Sequence, residues 1–186
     1  MRIISGTNKG MKLYAPEGMA VRPTSDKIKE AIFNMLGYID EDSIVLDLFS
    51  GSGGVGIEFL ARGAGECYFV DTSHKSLSYV KKNLELCKFN DRAKILINDY
   101  EKAIANLSKE GRKFNYIFAD PPYDLNCGIN IAEKIFENNL LVQEGMLIIE
   151  TDKSEKVIEN IHTHMVKYKE KIYGRTKISI MTYGVD

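Results

Sequence analysis

The four residues Asp120-Pro121-Pro122-Tyr123 carry the sharpest chemical signal in the sequence. They follow an apolar run, residues 116–119, that predicts a buried strand, and two prolines directly after a strand end it and fix the backbone. The Asp120 carboxylate and the Pro121 carbonyl are then expected as acceptors in fixed positions, and Tyr123 offers a ring for stacking. Two such acceptors can orient the N–H groups of an exocyclic amine on a planar base. The plainer interpretation is a rigid loop with a capping acid.

A second stretch is suited to binding a small cofactor. Residues 47–56, DLFSGSGGVG, lie between a short apolar run and a segment with a helical pattern. A strand, a glycine-rich turn and a helix in this order are typical of the nucleotide-binding unit of an open α/β sheet. The turn lets the backbone approach a ligand, and the helix N-terminus offers unpaired N–H groups.

This stretch fits two cofactor classes, and one acid distinguishes them. Gly51, Gly53 and Gly56 match G-x-G-x-x-G, and Asp71 stands 20 residues after Gly51, where an acid binds ribose hydroxyls. A nicotinamide dinucleotide would satisfy both features. Asp47, however, would repel a pyrophosphate and attract an ammonium group. S-adenosylmethionine has an ammonium group, a sulfonium and a ribose and no phosphate, so Asp47 favours it; a simple turn acid is the remaining interpretation.

Polar side chains follow four of the predicted strands at the point where each strand ends. They are Asp47, Asp71, the pair Asn98-Asp99, and Asp120. Ligands of open α/β sheets bind beyond the carboxyl ends of the strands. Any one of these acids could belong to a surface turn, but together they predict a lined pocket.

The elements that must position these residues alternate between β and α patterns. Strands are predicted at residues 44–46, 67–70, 93–97, 116–119 and 146–149, and the segment from about 164 to 183 predicts an antiparallel pair that turns at 173–175. A helix capped by Thr24 or Ser25 is predicted to end at Gly37, and a hairpin is predicted within residues 1–14. The pattern indicates an α/β fold with a mainly parallel sheet and helices on both faces.

Composition narrows the class of protein further. The chain has 186 residues, 44% of them hydrophobic, which predicts one domain with a small extension. The net charge of −1 does not by itself indicate a nucleic-acid-binding protein. We expect no membrane span and no signal segment. Its three cysteines are far apart and lack C-x-x-C spacing, which argues against disulfides and zinc and favours a reducing cytosol.

Basic side chains concentrate in residues 1–29 and 162–177, as either a phosphate-binding surface or ordinary solvated charge. The histidines have no metal-ligand spacing, and no serine or cysteine nucleophile motif is present. Cys67 and Cys87 fall on apolar faces and are predicted to lie in the core.

The order DLFSGSG and then DPPY resembles class I S-adenosylmethionine-dependent amino-methyltransferases. Arg2-Ile3-Ile4, then Arg22-Pro23-Thr24 with the helix after it, then residues 47–63 and DPPY, resemble the RsmD family in particular. Those enzymes methylate the exocyclic N2 of one guanine in small-subunit (16S) ribosomal RNA. The resemblance covers nearly the whole chain. DPPY alone is shared with DNA adenine and cytosine amino-methyltransferases.

The resemblance implies a Rossmann-like fold with a mainly parallel seven-stranded sheet, an antiparallel C-terminal hairpin and a small N-terminal β-hairpin extension. It divides the chain into the extension, residues 1–20, and the methyltransferase domain, residues 21–186. It implies cofactor contacts at Thr24, Asp47, Phe49, Ser50, Gly51, Gly53, Asp71, Thr72, Asn98, Asp99 and Tyr100. It implies that Asp120, Pro121, Pro122 and Tyr123 hold the guanine amine, and RNA contacts are expected at Arg2, Lys9, Lys12 and Arg22. The family's hairpin is usually richer in arginine, and lysine lacks the bidentate fork of arginine.

Taken with this resemblance, the sequence predicts a cytoplasmic, monomeric enzyme that uses S-adenosylmethionine to methylate an exocyclic amine. That the amine is a guanine N2 of ribosomal RNA, free or in a small-subunit particle, is implied by the resemblance alone. Neither a metal nor a membrane is expected. Three alternatives stay open: a DNA amino-methyltransferase, a nicotinamide oxidoreductase, and a non-catalytic RNA-binding assembly factor.

Overall fold

A computed structural model describes residues 1–16, 24–122, 127–155 and 165–184 of the chain. Its centre is a seven-stranded sheet in the order β3-β2-β1-β4-β5-β7-β6. The strands are β1 (Ile44–Asp47), β2 (Glu66–Asp71), β3 (Ala93–Ile97), β4 (Phe114–Ala119), β5 (Leu141–Asp152), β6 (Met165–Tyr173) and β7 (Thr176–Tyr183). Strands β1 to β5 are parallel, and β7 pairs antiparallel with both β5 and β6. The predicted sheet and its C-terminal antiparallel pair are confirmed.

Five α-helices within the described residues connect or flank these strands. They are α1 (Asp26–Leu36), α2 (Gly54–Ala61), α3 (His74–Cys87), α4 (Tyr100–Lys109) and α5 (Gly128–Glu137), with one 3₁₀ turn at Asn90–Arg92. Three of them begin at a side chain that accepts a hydrogen bond from the first turn: Ser25 for α1, Ser73 for α3 and Asp99 for α4. The predicted cap of α1 is thus Ser25 rather than Thr24, and the helix ends at Gly37 as predicted.

Two apolar layers enclose the sheet, one on each face. Val45 belongs to the layer formed with α1, α2 and α3, and its neighbour Leu46 belongs to the layer formed with α4 and α5. Successive residues of a strand point to opposite faces, so a strand buried on both faces is apolar throughout. The sheet is therefore held rigid from both sides, and the loops at its carboxyl edge have a fixed base. Cys67 and Cys87 are buried in the first layer, as predicted.

The N-terminal residues form a hairpin that lies across α2 and α3. One antiparallel bridge joins Arg2 to Lys12, and the turn of the hairpin reaches the carboxyl ends of the two helices, where Thr7 N–H donates to the Ala61 carbonyl. Asn8 makes the matching contact with α3. The open end of the hairpin lies near the start of α2, at the carboxyl edge of the sheet. The predicted domain boundary at residues 20 and 21 falls outside the described residues, and the division into two units stays a prediction.

Candidate functional site

The glycine-rich loop connects β1 to α2, and its glycines serve two different purposes. Gly51 and Gly53 adopt φ angles of 54° and 85°, which side chains rarely allow. Gly56 is needed for packing instead, because a Cβ there would lie 2.4 Å from the ring of Phe69 on β2. The predicted motif is thus explained residue by residue as a tight turn followed by close packing of the helix on the sheet.

Asp47, at the end of β1, is a buried acid that is only partly satisfied. Only 1% of the residue is exposed to solvent. Its Oδ2 accepts a hydrogen bond from Gly56 N–H at 3.0 Å, whereas its Oδ1 has no partner among the described residues. The pKa of Asp47 is raised to about 7, mainly by burial; the Gly56 hydrogen bond opposes this rise, and the charges of Asp120 and Asp71 add to it. A buried carboxylate oxygen without a partner fits a cationic ligand group.

Two other features at the loop also indicate a site for a polar ligand. The hydroxyl of Ser50 is buried and likewise has no hydrogen-bond partner among residues 1–16, 24–122, 127–155 and 165–184. Asp71 closes the loop from β2, because its Oδ2 accepts from Gly51 N–H at 2.9 Å and its Oδ1 accepts from Ser73 N–H at 2.8 Å. Thr72 is exposed at the same edge. The loop is thus rigid while polar atoms remain available to a ligand.

Asp120, at the end of β4, lies close enough to Asp47 for its charge to raise the pKa of Asp47. Its Oδ2 accepts a hydrogen bond from the Thr24 hydroxyl at 3.3 Å. Burial raises the pKa of Asp120 to about 7, and the Thr24 hydrogen bond opposes that shift. Pro121 is buried and Pro122 is exposed, while Tyr123 lies outside the described residues. The acids that follow β1, β2 and β4 therefore interact at one edge of the sheet.

The loop after β3 completes this edge. Asp99 caps α4, since its Oδ1 accepts from Lys102 N–H at 2.8 Å and its Oδ2 pairs with the Lys102 ammonium at 3.0 Å. The backbone hydrogen bond from Lys102 is the main reason why the pKa of Asp99 is lowered. Phe49 and Tyr100 pack with ring centroids 5.5 Å apart, which joins this loop to the glycine loop. Asn98 is half-buried, and its N–H donates to the Asp71 carbonyl at 3.3 Å. The structure gives Asp99 a capping role, and its contact with a cofactor stays a prediction.

The described basic residues that were predicted to contact RNA lie at two different ends of the hairpin. Arg2 and Lys12 are exposed and opposite each other, and Arg2 Nε pairs with Asp26 Oδ2 at 3.1 Å at the start of α1. Lys9 is exposed in the turn of the hairpin, near the carboxyl ends of α2 and α3 and away from the acids. Arg22 lies outside the described residues. Among the described members of this set, Arg2 and Lys12 lie near the edge where Asp120 is found, since Arg2 pairs with Asp26 at the start of α1 and Thr24 just before it binds Asp120.

A buried ion pair that the sequence analysis did not predict joins the hairpin to the sheet domain. Glu58 on α2 accepts from Ile4 N–H at 2.8 Å, Ser5 N–H at 3.0 Å and Arg62 Nε at 2.9 Å. Lys29 on α1 lies 3.5 Å from the same carboxylate, and both side chains are 0% exposed. Burial is the main reason why the pKa of Lys29 is lowered, although Glu58 opposes the shift.

A second unpredicted anchor is Asn83 on α3, which is 0% exposed. Its amide accepts from Tyr14 N–H at 2.7 Å and donates to the carbonyls of Tyr14 and Ser52, both at 2.9 Å. A signal for both anchors exists in the sequence. Lys29 stands at helical spacing before Ile32, and Asn83 stands at helical spacing after Val80, so each polar residue falls on an apolar helix face.

No group of three or more metal-ligating side chains occurs in the described part of the chain. Nor does any helix described there have the length and apolar character needed to cross a bilayer.

Comparison with known proteins places the chain among methyltransferase-like sequences. The family described as "Conserved hypothetical protein 95" matches residues 1–182. The YlbH protein of Bacillus subtilis is 39% identical over 180 residues, which are 97% of each chain. Ribosomal RNA small subunit methyltransferase D of Haemophilus influenzae is 31% identical over 169 residues, which are 91% of this chain and 88% of that enzyme. The solved structure of yhhF from Escherichia coli superposes with a TM-score of 0.86 at 26% identity, covering 98% of this chain and 97% of its own.

Proposed function

This chain belongs to the Conserved hypothetical protein 95 family, as the resemblance to RsmD indicated, and on that premise we propose that it is an S-adenosylmethionine-dependent ribosomal RNA methyltransferase. The relatives named small subunit methyltransferase D support small-subunit RNA as the substrate. The acceptor atom we propose is the exocyclic N2 of one guanine. We further propose a cytoplasmic, monomeric enzyme that acts on free RNA or on a small-subunit particle.

The observation that carries this proposal is Asp47 Oδ1, a buried oxygen beside the glycine loop that has no hydrogen-bond partner among the described residues. A buried carboxylate needs a cation or a donor, and the ammonium group of S-adenosylmethionine supplies both. The buried hydroxyl of Ser50 offers a further polar contact. A dinucleotide pyrophosphate would instead meet the charge of Asp47, which opposes a nicotinamide oxidoreductase.

S-adenosylmethionine, when bound, supplies a methyl group on a positively charged sulfur. We propose that Asp47, Ser50, Gly51 and Gly53 hold its methionine part and that Asp71 and Thr72 bind its ribose. The remaining predicted contacts, around the adenine and above the cofactor, are Phe49, Asn98, Asp99, Tyr100 and Thr24.

Asp120 and the carbonyl of Pro121 are proposed to accept hydrogen bonds from the two N–H groups of the target amine. This would point the nitrogen lone pair toward the methyl group, and catalysis would come mainly from alignment and charge. A neutral aromatic amine is far too weak an acid for Asp120 to deprotonate beforehand, so proton loss accompanies or follows transfer. Pro122 and Tyr123 complete the set, with Tyr123 stacking on a base that has left its helix.

Methyl transfer can be tested with radiolabelled S-adenosylmethionine and small-subunit particles, or their RNA, from cells lacking this protein. Nuclease digestion then identifies the labelled nucleoside. Label in N2-methylguanosine at one site is the expected result. Label in another base would mean that the acceptor atom is the amine of that base. Label in DNA alone would favour a DNA amino-methyltransferase. Absence of any transfer, with RNA binding intact, would favour a non-catalytic assembly factor.

A further inference from the structure

Tyr14 is a large exposed aromatic residue whose backbone is fixed by a buried side chain. It is 55% exposed, although it ends a hairpin whose neighbouring residue Leu13 is buried. The amide of Asn83 binds both the N–H and the carbonyl of Tyr14 and also binds the carbonyl of Ser52 in the glycine loop. Because Asn83 is fully buried, Tyr14 is held in a fixed relation to the glycine loop.

The other strand of the hairpin, which contains Ile4 and Ser5, is also held by a buried side chain. Glu58 accepts hydrogen bonds from the N–H groups of Ile4 and Ser5, and this carboxylate is completely buried with Lys29 as its counter-ion. Apolar contacts alone would be enough to attach the hairpin to the helices. Buried hydrogen bonds and ion pairs require a defined geometry in addition, and so they fix the position of the hairpin. The hairpin is therefore a preformed surface, and its outward residues would not lose conformational freedom of the backbone on binding.

Three side chains form the outward face of this hairpin, which we call the hairpin face: Arg2, Lys12 and Tyr14. Arg2 and Lys12 are directly opposite each other in the antiparallel bridge, and Tyr14 follows Lys12 by two residues, so all three point to the same side. Asp26 holds the guanidinium of Arg2 in place at the start of α1. Two cations beside an aromatic ring are suited to a nucleic acid strand, whose phosphates and bases they match.

We propose that Tyr14 stacks on an unpaired base of the RNA strand that flanks the target guanine, while Arg2 and Lys12 bind the adjacent phosphates. This inference rests on the proposed function and adds to it a specific partner segment. Stacking does not read the identity of a base, so Tyr14 positions the strand and leaves the choice of nucleotide to other contacts. Its connection to Ser52 through Asn83 places this stacking position next to the cofactor loop.

The test compares Tyr14→Ala and Tyr14→Phe for binding of a labelled small-subunit RNA fragment on filters at fixed salt, without cofactor. Tyr14→Ala is expected to weaken RNA binding about 5- to 100-fold, and Tyr14→Phe to retain it, because phenylalanine also stacks. The affinity for S-adenosylmethionine, measured by calorimetry, should stay the same in both variants. Tyr38→Ala is the matched control: this tyrosine is 81% exposed but lies between α1 and β1, at the amino edge of the sheet.

Two results would overturn the inference. One is that Tyr14→Ala weakens RNA binding no more than Tyr38→Ala does. If Tyr14→Ala in that case weakened only the binding to intact particles, the partner of Tyr14 would be a ribosomal protein. The other is a parallel loss of S-adenosylmethionine affinity, which would mean that Tyr14 acts through Asn83 on the cofactor loop. Methyl transfer by the wild-type protein is measured separately. Its absence would count against the proposed function, whereas RNA binding that depends on Tyr14 would still support the hairpin face.

Discussion

Asp47 and Glu58 are two buried acids on successive elements of the chain, and they are satisfied to very different degrees. Glu58 is surrounded by two cations and two backbone N–H groups. Asp47 accepts one hydrogen bond, has an oxygen without a partner among the described residues, and has its pKa raised to about 7. A fully paired acid serves the fold, whereas an acid left partly unpaired is available to a ligand. The contrast separates the structural anchor of this protein from its candidate cofactor site.

The largest effect on stability is expected for Glu58→Gln. Removal of the Glu58 charge would leave the Lys29 ammonium buried without this counter-ion, and such a change typically destabilises the folded protein by about 3–5 kcal/mol. The free energy of unfolding from urea titration measures this. Glu110→Gln is the matched control, since the pair of Glu110 with Arg112 is exposed and should contribute at most about 1 kcal/mol. Equal effects of the two variants would refute the idea that Glu58 is an anchor.

The largest effect on catalysis is expected for Asp120→Ala. Removal of one oriented acceptor should lower kcat about 10²- to 10³-fold, while the affinity for S-adenosylmethionine changes little because Asp47 and Ser50 remain. Single-turnover methyl transfer and calorimetry give the two quantities. If cofactor affinity fell as far as kcat, Asp120 would belong to the cofactor site and the proposed division between the two acids would be wrong.

Asp47→Asn should give the opposite result to Glu58→Gln. The free energy of unfolding of the cofactor-free protein at pH 8 should stay the same or rise, because a poorly paired buried charge is removed. The affinity for S-adenosylmethionine should fall about 10- to 100-fold with loss of the charged partner. Thermal unfolding with and without cofactor measures both effects. A marked loss of stability without cofactor would show that Asp47 has a structural role instead.

The pH dependence of cofactor affinity is the smallest and most specific expectation. The pKa of Asp47 is raised from 3.8 to about 7, so the folded protein holds a proton that the unfolded chain releases, and stability without cofactor should decline as pH rises from about 4 to 7. An ammonium group prefers the ionised carboxylate, so cofactor affinity should increase from pH 5.5 to 7.5 and then level off. Calorimetry in buffers of different ionisation enthalpy measures the accompanying proton release. In Asp47→Asn this part of the pH dependence should disappear.

Features that depend on near neighbours in the chain could be predicted from the sequence. Strand β3 has the predicted bounds, α1 starts at one of the two predicted caps, and the chain turns between β6 and β7 at the predicted residues. Strand β5 was predicted at residues 146–149 but extends over Leu141–Asp152. Its early part contains the exposed residues Gln143 and Glu144, and pairing with β4 and β7, rather than apolar character, sets its length.

The candidate site also has some features that could be predicted from the sequence and others that could not. Its acids could be predicted because a parallel sheet brings the carboxyl ends of its strands to one edge, and the structure has Asp47, Asp71 and Asp120 interacting there. The capping role of Asp99 is a local feature as well, because its partner Lys102 stands only three residues further along the chain. The position of Lys9 at the far end of the hairpin could not be predicted, because it depends on how the hairpin packs on α2 and α3.

The sequence by itself determined the α/β fold, the glycine loop and the identity of the polar residues at the edge of the sheet, because caps, turns and strand periodicity are local properties. Only the tertiary structure decided that Glu58 is fully paired whereas Asp47 has one oxygen without a partner among the described residues. Hydrogen bonding of a buried carboxylate depends on donors from distant segments, here Lys29 and the N–H groups of Ile4 and Ser5. These donors are brought to Glu58 only by the packing of the hairpin and α1 on α2.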